Sequence, residues 1–382
     1  MNFTLTDEQQ LLQDSVRRFI DKSYGFAART ALVQAGRGGS AENWQRFADN
    51  GWLAAALPES GGGLGGSVLD TALIAQQLGR GLVIDPYLGC AVLAAQTLAA
   101  AATPEQQARW LPPLASGEAR FALAWCEAAS NGNPAVVEMQ ATLSGDDYLL
   151  NGRKSLVLGA RGSNGYIVSA RIHEAGKPGQ LALFVVDAGT PGVTERAYLL
   201  HDGSSASALE FAQVRVQADQ RLGLRADGLP ALRHGLAHAV AALGAELVGA
   251  MERAIEMTAE YLKVRRQFGV PIGSFQALQH RIADMSAELE VARSMLYALL
   301  ASIENDNAAR RDHTVSMAKA LIGRAAKYVC GQAIQLHGGI GMTEEYAVGH
   351  YFKRAVVADL LFGNSDAHDA VSVAVLQRAL TS

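Results

Sequence analysis

A chain of 382 residues is too long for one small core, so two or three packed units are expected. With 49% apolar and 18% charged residues it reads as globular and well buried, which excludes a disordered or fibrous chain. A net charge of −4 with no Lys/Arg block gives no reason to expect a nucleic-acid-binding role.

Cys90, Cys126 and Cys330 are odd in number, far apart and outside any metal-ligand spacing, so they read as buried thiols of a reducing compartment. Met1-Asn-Phe-Thr-Leu-Thr-Asp lacks a basic region followed by an apolar core, so no signal peptide is expected. The Ala- and Leu-rich run at 91–102 is too short to span a bilayer. Together these features predict a soluble, cytoplasmic protein without a membrane span.

The first ~115 residues read as helical. Thr6-Asp-Glu-Gln9 has the form of a capping box, with Leu12, Val16, Phe19 and Ile20 as the buried face behind it. Thr103-Pro-Glu-Gln106 is a second such start. Between them Gly61, Gly63 and Gly66 satisfy G-x-G-x-x-G, but Pro58, Glu59 and Ser60 precede them where a dinucleotide fold needs a buried strand. A plain flexible loop capped by Ser67 is the simpler reading.

From about Arg120 to Leu222 the apolar period changes to two. Glu138–Leu143 alternates, and Tyr148-Leu-Leu then meets Asn151-Gly152, which predicts a hairpin turn. Tyr166–Ile172, Leu181–Val186 and Ala208–Phe211 read as further strands, so a small β-barrel or sandwich is expected here. From about Asp227 the pattern is helical again, near 229–266, 274–303, 313–336 and 344–361, as in a four-helix bundle. In the first of these helices Ile255, Ala259 and Leu262 share a face. Gly269 and Pro271 stop it, leaving Arg265 and Arg266 on its last turn. The second carries a core stripe of Phe275, Leu278, Ile282, Met285, Leu289, Ala292, Leu296 and Leu299, and Asn305–Arg310 reads as a polar turn after it. The fold class is α+β, mostly helical: an N-terminal α-helical domain (1–117), a middle β-barrel domain (118–224) and a C-terminal four-helix domain (225–382).

Arg265-Arg-Gln-Phe-Gly269 sets a flat aromatic beside a bidentate phosphate binder. Gln335-Leu-His-Gly-Gly-Ile-Gly341 ends a helix in glycines whose backbone N–H groups can approach a phosphate. Paired, the two strings point to a pyrophosphate site. His201, His234, His238, His337 and His350 show no metal-ligand grouping, and each reads as packed or exposed.

These two strings and Phe275-Gln-Ala-Leu-Gln-His280 resemble, in order and spacing, the C-terminal signatures of the acyl-CoA dehydrogenases, a resemblance running from about Thr6 to Asp366. Within the family the chain most resembles the small subunit of pimeloyl-CoA dehydrogenase and the paired bacterial dehydrogenases that attack steroid side chains. The resemblance implies an FAD whose ADP half is held by Arg265, Phe268, Gln335, Gly338 and Gly339, with its ring mainly in a neighbouring subunit. It also sets the Pro58-Glu59 loop beside the acyl-CoA pocket. Other family strings are altered. Cys126-Glu-Ala-Ala-Ser-Asn131 stands for Thr-Glu-Pro…Gly-Ser-Asp, and Leu156 and Leu158 replace the Trp and Thr that hold the flavin ring, although Asn151, Gly152 and Lys154 are kept.

Dehydrogenation at the α,β carbons needs a carboxylate to take the α-proton while the flavin takes the β-hydride. The family's usual Glu position is Phe362 here, and its second position is Ala239. Glu246 lies two turns beyond Ala239 among Ala241, Leu243, Leu247 and Val248. It is a candidate base with a pKa raised by semi-burial, or else a structural Glu paired with an Arg or capping a neighbouring helix. Asp366 and Asp369 read as caps of the terminal helix. The resemblance therefore implies a subunit of an FAD-dependent acyl-CoA dehydrogenase acting on a dicarboxylic or steroid acyl-CoA. It would join a larger subunit in an α2β2 assembly and pass electrons to an electron-transfer flavoprotein. A catalytically silent structural partner, or a flavin oxidase or monooxygenase on the same fold, are the alternatives.

Overall fold

The computed structural model describes residues 5–172, 179–224 and 226–381. The first helices are α1 (Asp7–Ser23), α2 (Phe26–Gln34), α3 (Ala41–Asp49), α4 (Val68–Arg80), α5 (Ala95–Ala101) and α6 (Pro104–Ala115). Strands follow: β1 (Phe121–Ala124), β2 (Gln140–Ser144), β3 (Asp147–Leu158), β4 (Gly165–Ile172), β5 (Gln180–Asp187), β6 (Val193–Leu199) and β7 (Ser205–Val216). Then come α7 (Leu229–Val264), β8 (Arg266–Gln267), β9 (Val270–Pro271), α8 (Gln276–Asn305), α9 (Ala308–His337), α10 (Val348–Leu360) and α11 (Ser365–Thr381). None of the described helices is long and apolar enough to cross a membrane. Two compact units emerge: one of Met1–Ala31, Ala72–Val83 and Val240–Ser382, the other of Leu32–Thr71 and Ile84–Ala239.

The second unit holds a sheet in the order β1-β4-β2-β3-β7-β6, with β5 on β4. β1 and β2 lie parallel to β4, end to end: Phe121 faces Gly165, and Gln140 faces Arg171. Among the described residues β6 pairs with β7 alone, so the expected β domain takes the form of a half-barrel. Asn151-Gly152 is not a hairpin turn. The chain reverses at Gly145-Asp146, and Asn151-Gly152 lies inside β3 at a bulge against β7. There Asn151 Oδ1 accepts from the backbone and side-chain N–H groups of Gln213, each at 2.8 Å. Long-range pairing thus overrides the local turn preference.

A buried ion pair ties the stretch after β1 to the sheet. Lys154 Nζ donates to Glu127 Oε1 at 2.5 Å and to Ser169 Oγ at 2.9 Å. Burial pushes the Lys154 ammonium down to about 8, against the opposing pull of the Glu127 carboxylate. The helical layer packs Phe47 against Trp52 and Tyr87, with ring centroids 5.2 and 6.5 Å apart. The Thr103 capping box forms as expected and starts α6.

No strand precedes the G-x-G-x-x-G match, only turns and a short 3-10 segment, Glu59–Gly61. The loop is tightly packed: a Cβ on Gly63 would lie 2.1 Å from the Leu57 carbonyl oxygen. Ser67 does cap the helix behind it, accepting from the Leu69 N–H at 3.1 Å.

In the other unit the Thr6 capping box opens α1, with Val16 and Phe19 buried. α9 packs against α8, α10 and α11, so α11 joins the four expected helices. Met285, Leu289, Ala292, Leu296 and Leu299 are buried, but Phe275 is exposed and Leu278 and Ile282 are half-covered, so the first turns of α8 are not core. Cys90 and Cys330 are buried, whereas Cys126 is half-buried.

Within this unit α4 crosses α7 backbone to backbone. A Cβ on Gly79 would stand 2.0 Å from the Glu246 carbonyl oxygen, and one on Gly249 would stand 1.9 Å from that of Gln76. A clamp surrounds the crossing. Gln76 donates to Glu252 at 2.8 Å, and Arg80 forks onto Glu256 at 3.0 and 2.9 Å. Helix propensity alone would make Gly249→Ala stabilising by about 1 kcal/mol. The carbonyl in the way is rigid backbone, so overpacking prevails and a net loss of about 1–3 kcal/mol is expected. A urea titration measures it, and an unchanged or higher midpoint would contradict the crossing.

Candidate functional site

The ends of α7 and α9 come together. Tyr261 stacks on His337 with ring centroids 4.5 Å apart, and Tyr346 packs on His337 at 5.0 Å. Burial holds the His337 imidazole below its ordinary value despite its Nδ1 contact with the Ala333 carbonyl, so the ring is neutral near pH 7. α7 stops at Val264, and Arg265 and Arg266 lie beyond it, not on its last turn. The chain instead makes a hairpin, with Arg266 opposite Pro271 and Gln267 opposite Val270. Its two turn residues, Phe268 (φ +52°) and Gly269 (φ +84°), take the left-handed backbone that a two-residue hairpin turn demands.

That turn carries Phe268 into solvent, where its side chain is 91% exposed. Arg265 is exposed at the base of the hairpin, its carbonyl accepting from the Ile272 N–H at 2.8 Å. Gln335 is exposed on the last turn of α9. Gly338 and Gly339 follow it, with nothing within 4 Å of a Cβ built on either. An arginine fork, a bare aromatic face and uncovered glycine backbone are what a pyrophosphate joined to a flat base requires. All five residues expected at the ADP half thus lie at the adjoining ends of two helices.

The stretch expected to meet a flavin ring is different. The Leu156 N–H is taken by the Tyr198 hydroxyl at 3.2 Å, and Leu156 and Leu158 present aliphatic side chains. Ser130 Oγ accepts from the Glu127 N–H at 3.2 Å and donates to its carbonyl at 2.8 Å. The Glu127 carboxylate holds Lys154 and the N–H groups of Glu138 and Met139. These polar groups are already engaged, so this stretch does not fit the polar edge of a flavin ring.

Phe362 sits in left-handed backbone (φ +62°), buried at 7% exposure, with its carbonyl 3.0 Å from His368 Nε2. It offers no proton acceptor on its side chain, and neither does the buried Ala239. Glu246 is buried, and its Oε2 accepts from the Arg354 guanidinium of α10. Asp366 and Asp369 are not the helix caps. The Asn364 side chain accepts from the Ala367 N–H at 2.9 Å, and Asp369 forks with Arg324. Sequence reasoning missed Asp359, a buried acid three residues before Phe362. Burial would raise it, but hydrogen bonds from Lys327 and Ser365 and the nearby Lys319 charge hold it below its ordinary value. It is ionised and bound into the packing of α9 and α10.

Family descriptions match the chain nearly end to end: the acyl-CoA dehydrogenase N-terminal domain over residues 6–118, the middle domain over 122–214 and the C-terminal domain over 226–376. A probable acyl-CoA dehydrogenase of Bacillus subtilis is 30% identical, covering 96% of this chain and 97% of the relative. The acyl-CoA dehydrogenase IpdE2 of Mycobacterium tuberculosis is 33% identical, with 92% of each covered. Among solved structures, butyryl-CoA dehydrogenase from Megasphaera elsdenii superposes with a TM-score of 0.91 at 26% identity, covering 99% of this chain and all of that one. A chain of the ChsE4-ChsE5 complex from Mycobacterium tuberculosis gives 0.88 at 29% identity, with 100% and 99% covered. On three domains in order and on relatives matched over 92–97% of their length, the chain belongs to the acyl-CoA dehydrogenase family.

Proposed function

We propose that this chain is a subunit of an FAD-dependent enzyme dehydrogenating an acyl-CoA thioester, in which it supplies the ADP half of the flavin site to a larger partner subunit. One asymmetry carries the reading: the groups at Arg265, Phe268, Gly338 and Gly339 stand open, while those around Leu156 and Leu158 are aliphatic or engaged. Arg265 would fork the pyrophosphate, Phe268 would cover the flat base, and the backbone of Gly338 and Gly339 would donate to phosphate oxygens. Bound FAD supplies the acceptor for the β-hydride.

The α-proton must go to a carboxylate. Phe362 cannot take it, and Glu246 is already charge-paired with Arg354, so the base comes from the partner chain. The relatives support such an assembly, since one is a two-component ChsE4-ChsE5 complex and another a Tcur3481-Tcur3483 steroid enzyme. A dicarboxylic or steroid acyl group, an α2β2 assembly in the cytoplasm and delivery of electrons to an electron-transfer flavoprotein complete the proposal. The resemblance to the pimeloyl-CoA dehydrogenase small subunit belongs to it as well. A catalytically silent partner is the second reading, favoured by the same Phe362. A stand-alone oxidase or monooxygenase would need the ring pocket in one chain.

Arg265→Ala tests the half-site. Losing a charge-assisted contact of about 1.5–3 kcal/mol should weaken FAD retention in the assembled enzyme about tenfold to a hundredfold, with circular dichroism unchanged. Equal retention in variant and wild type would refute the role given to Arg265.

Glu246→Gln separates base from structural partner. The expected outcome is unchanged flavin content, a lower unfolding midpoint as the Arg354 charge loses its carboxylate, and turnover altered only a few-fold. A drop of about 100-fold or more in turnover would make Glu246 the base.

A further inference from the structure

The sheet-bearing unit contains a cavity of about 300 Å³. Arg37, Ser40, Arg120, Arg161 and Ser205 are among the residues lining it, and its described lining holds three guanidinium groups and no carboxylate. Two of these cations are fixed by carbonyls instead of acids. Arg120 donates to the Gly162 carbonyl at 2.7 Å and lies over the Trp44 ring at 5.5 Å. Arg161 donates to the Gly36 carbonyl. A guanidinium has five N–H donors, so both keep donors to spare. Arg37 is exposed at the rim.

Asp85 accepts from the Ser40 N–H at 2.7 Å and from the Asn43 amide at 3.1 Å, which places its charge on the start of α3. A separate observation points into the same space. Ser205, only 9% exposed, lines the cavity, and its buried hydroxyl has no hydrogen-bond partner among the described residues. A buried polar atom left unsatisfied is uncommon in a native fold and marks where a ligand atom belongs.

We infer that this cavity binds a phosphate monoester dianion. Three arginines beside an unanswered hydroxyl match the charge and the acceptor oxygens of phosphate, whereas a carboxylate would neutralise only one of the three cations. The volume is at the lower end of small-molecule pockets, roughly 300 Å³, which suits a phosphate group with a short carbon skeleton. Inorganic phosphate and the phosphoryl end of a small ester share this chemistry.

The test is isothermal titration calorimetry on the full-length chain at low salt, with inorganic phosphate, glycerol 3-phosphate and acetate in separate arms. Saturable binding is expected for the phosphates, at least about tenfold tighter than for acetate. Tighter binding of glycerol 3-phosphate than of inorganic phosphate identifies an ester as the ligand, and equal affinity identifies the free ion. Arg37→Ala, at an exposed side chain, should weaken phosphate binding about tenfold to a hundredfold without moving Tm. Ser205→Ala should weaken it by a smaller factor with Tm held. No saturable heat with either phosphate, equal affinity for acetate, or unchanged binding in Arg37→Ala would each overturn the site.

Discussion

The contact on which the unit of Met1–Ala31, Ala72–Val83 and Val240–Ser382 depends most is the crossing of α4 and α7, where Gly79 and Gly249 let two backbones touch. The Glu246 residue is held there twice. Its carbonyl oxygen abuts Gly79, and its carboxylate holds Arg354 of α10. Pinning the carbonyl sets the rotation of α7 about its axis, which directs the 246 side chain toward α10. Nearly two turns further on, Glu252 gathers Gln76, Arg80 and Arg293, so α7 is also tied to α4 and α8. Charges this close to a rigid contact lose little side-chain entropy on pairing, unlike isolated surface bridges. The consequence for chemistry is direct: the acid that the sequence offers as a base is also a structural tie.

Much of the fold was legible because its signals are local. Thr6 and Thr103 announce their helices through capping boxes that form as read. The change of period from 3.6 to two marks where β1 to β7 begin, and the polar stretch at Asn305–Arg310 shrinks to Asp306 and Asn307 between two helices. The errors arose where distant residues decide the outcome. Asn151-Gly152 is a turn by local preference, but Gln213 on β7 captures the Asn151 side chain and keeps the strand going. Gly269 and Pro271 are expected to stop α7, but it ends at Val264, five residues before Gly269, because Arg265–Pro271 closes into its own hairpin. The exposed start of α8 follows the same logic, since a periodic stripe says which face is apolar and not what covers it.

The candidate site divides along similar lines. Arg265, Phe268, Gln335, Gly338 and Gly339 could be picked out as strings, because a phosphate-binding end is built from residue types at short spacing. Their juxtaposition could not, since it rests on the Tyr261–His337 stack between helices far apart in sequence. Glu246 could be named as an acid among apolar neighbours, but its Arg354 partner lies 108 residues away with no local mark. Asp359 escaped for the same reason. Leu156 and Leu158 carried the opposite kind of information: both side chains are aliphatic by sequence, and the Leu156 N–H is taken by the Tyr198 hydroxyl.

The central claim is that this chain holds one end of a flavin and neither the ring pocket nor the base. Flavin absorbance against protein concentration, measured on the chain purified alone, tests it most directly. A half-site captures only part of the binding free energy, so well under one FAD per chain is expected, with no acyl-CoA-dependent reduction of an electron acceptor. Co-expression with a larger relative should restore one flavin per heterodimer. A homogeneous preparation of this chain alone that carries one FAD per subunit and oxidises an acyl-CoA would contradict the claim.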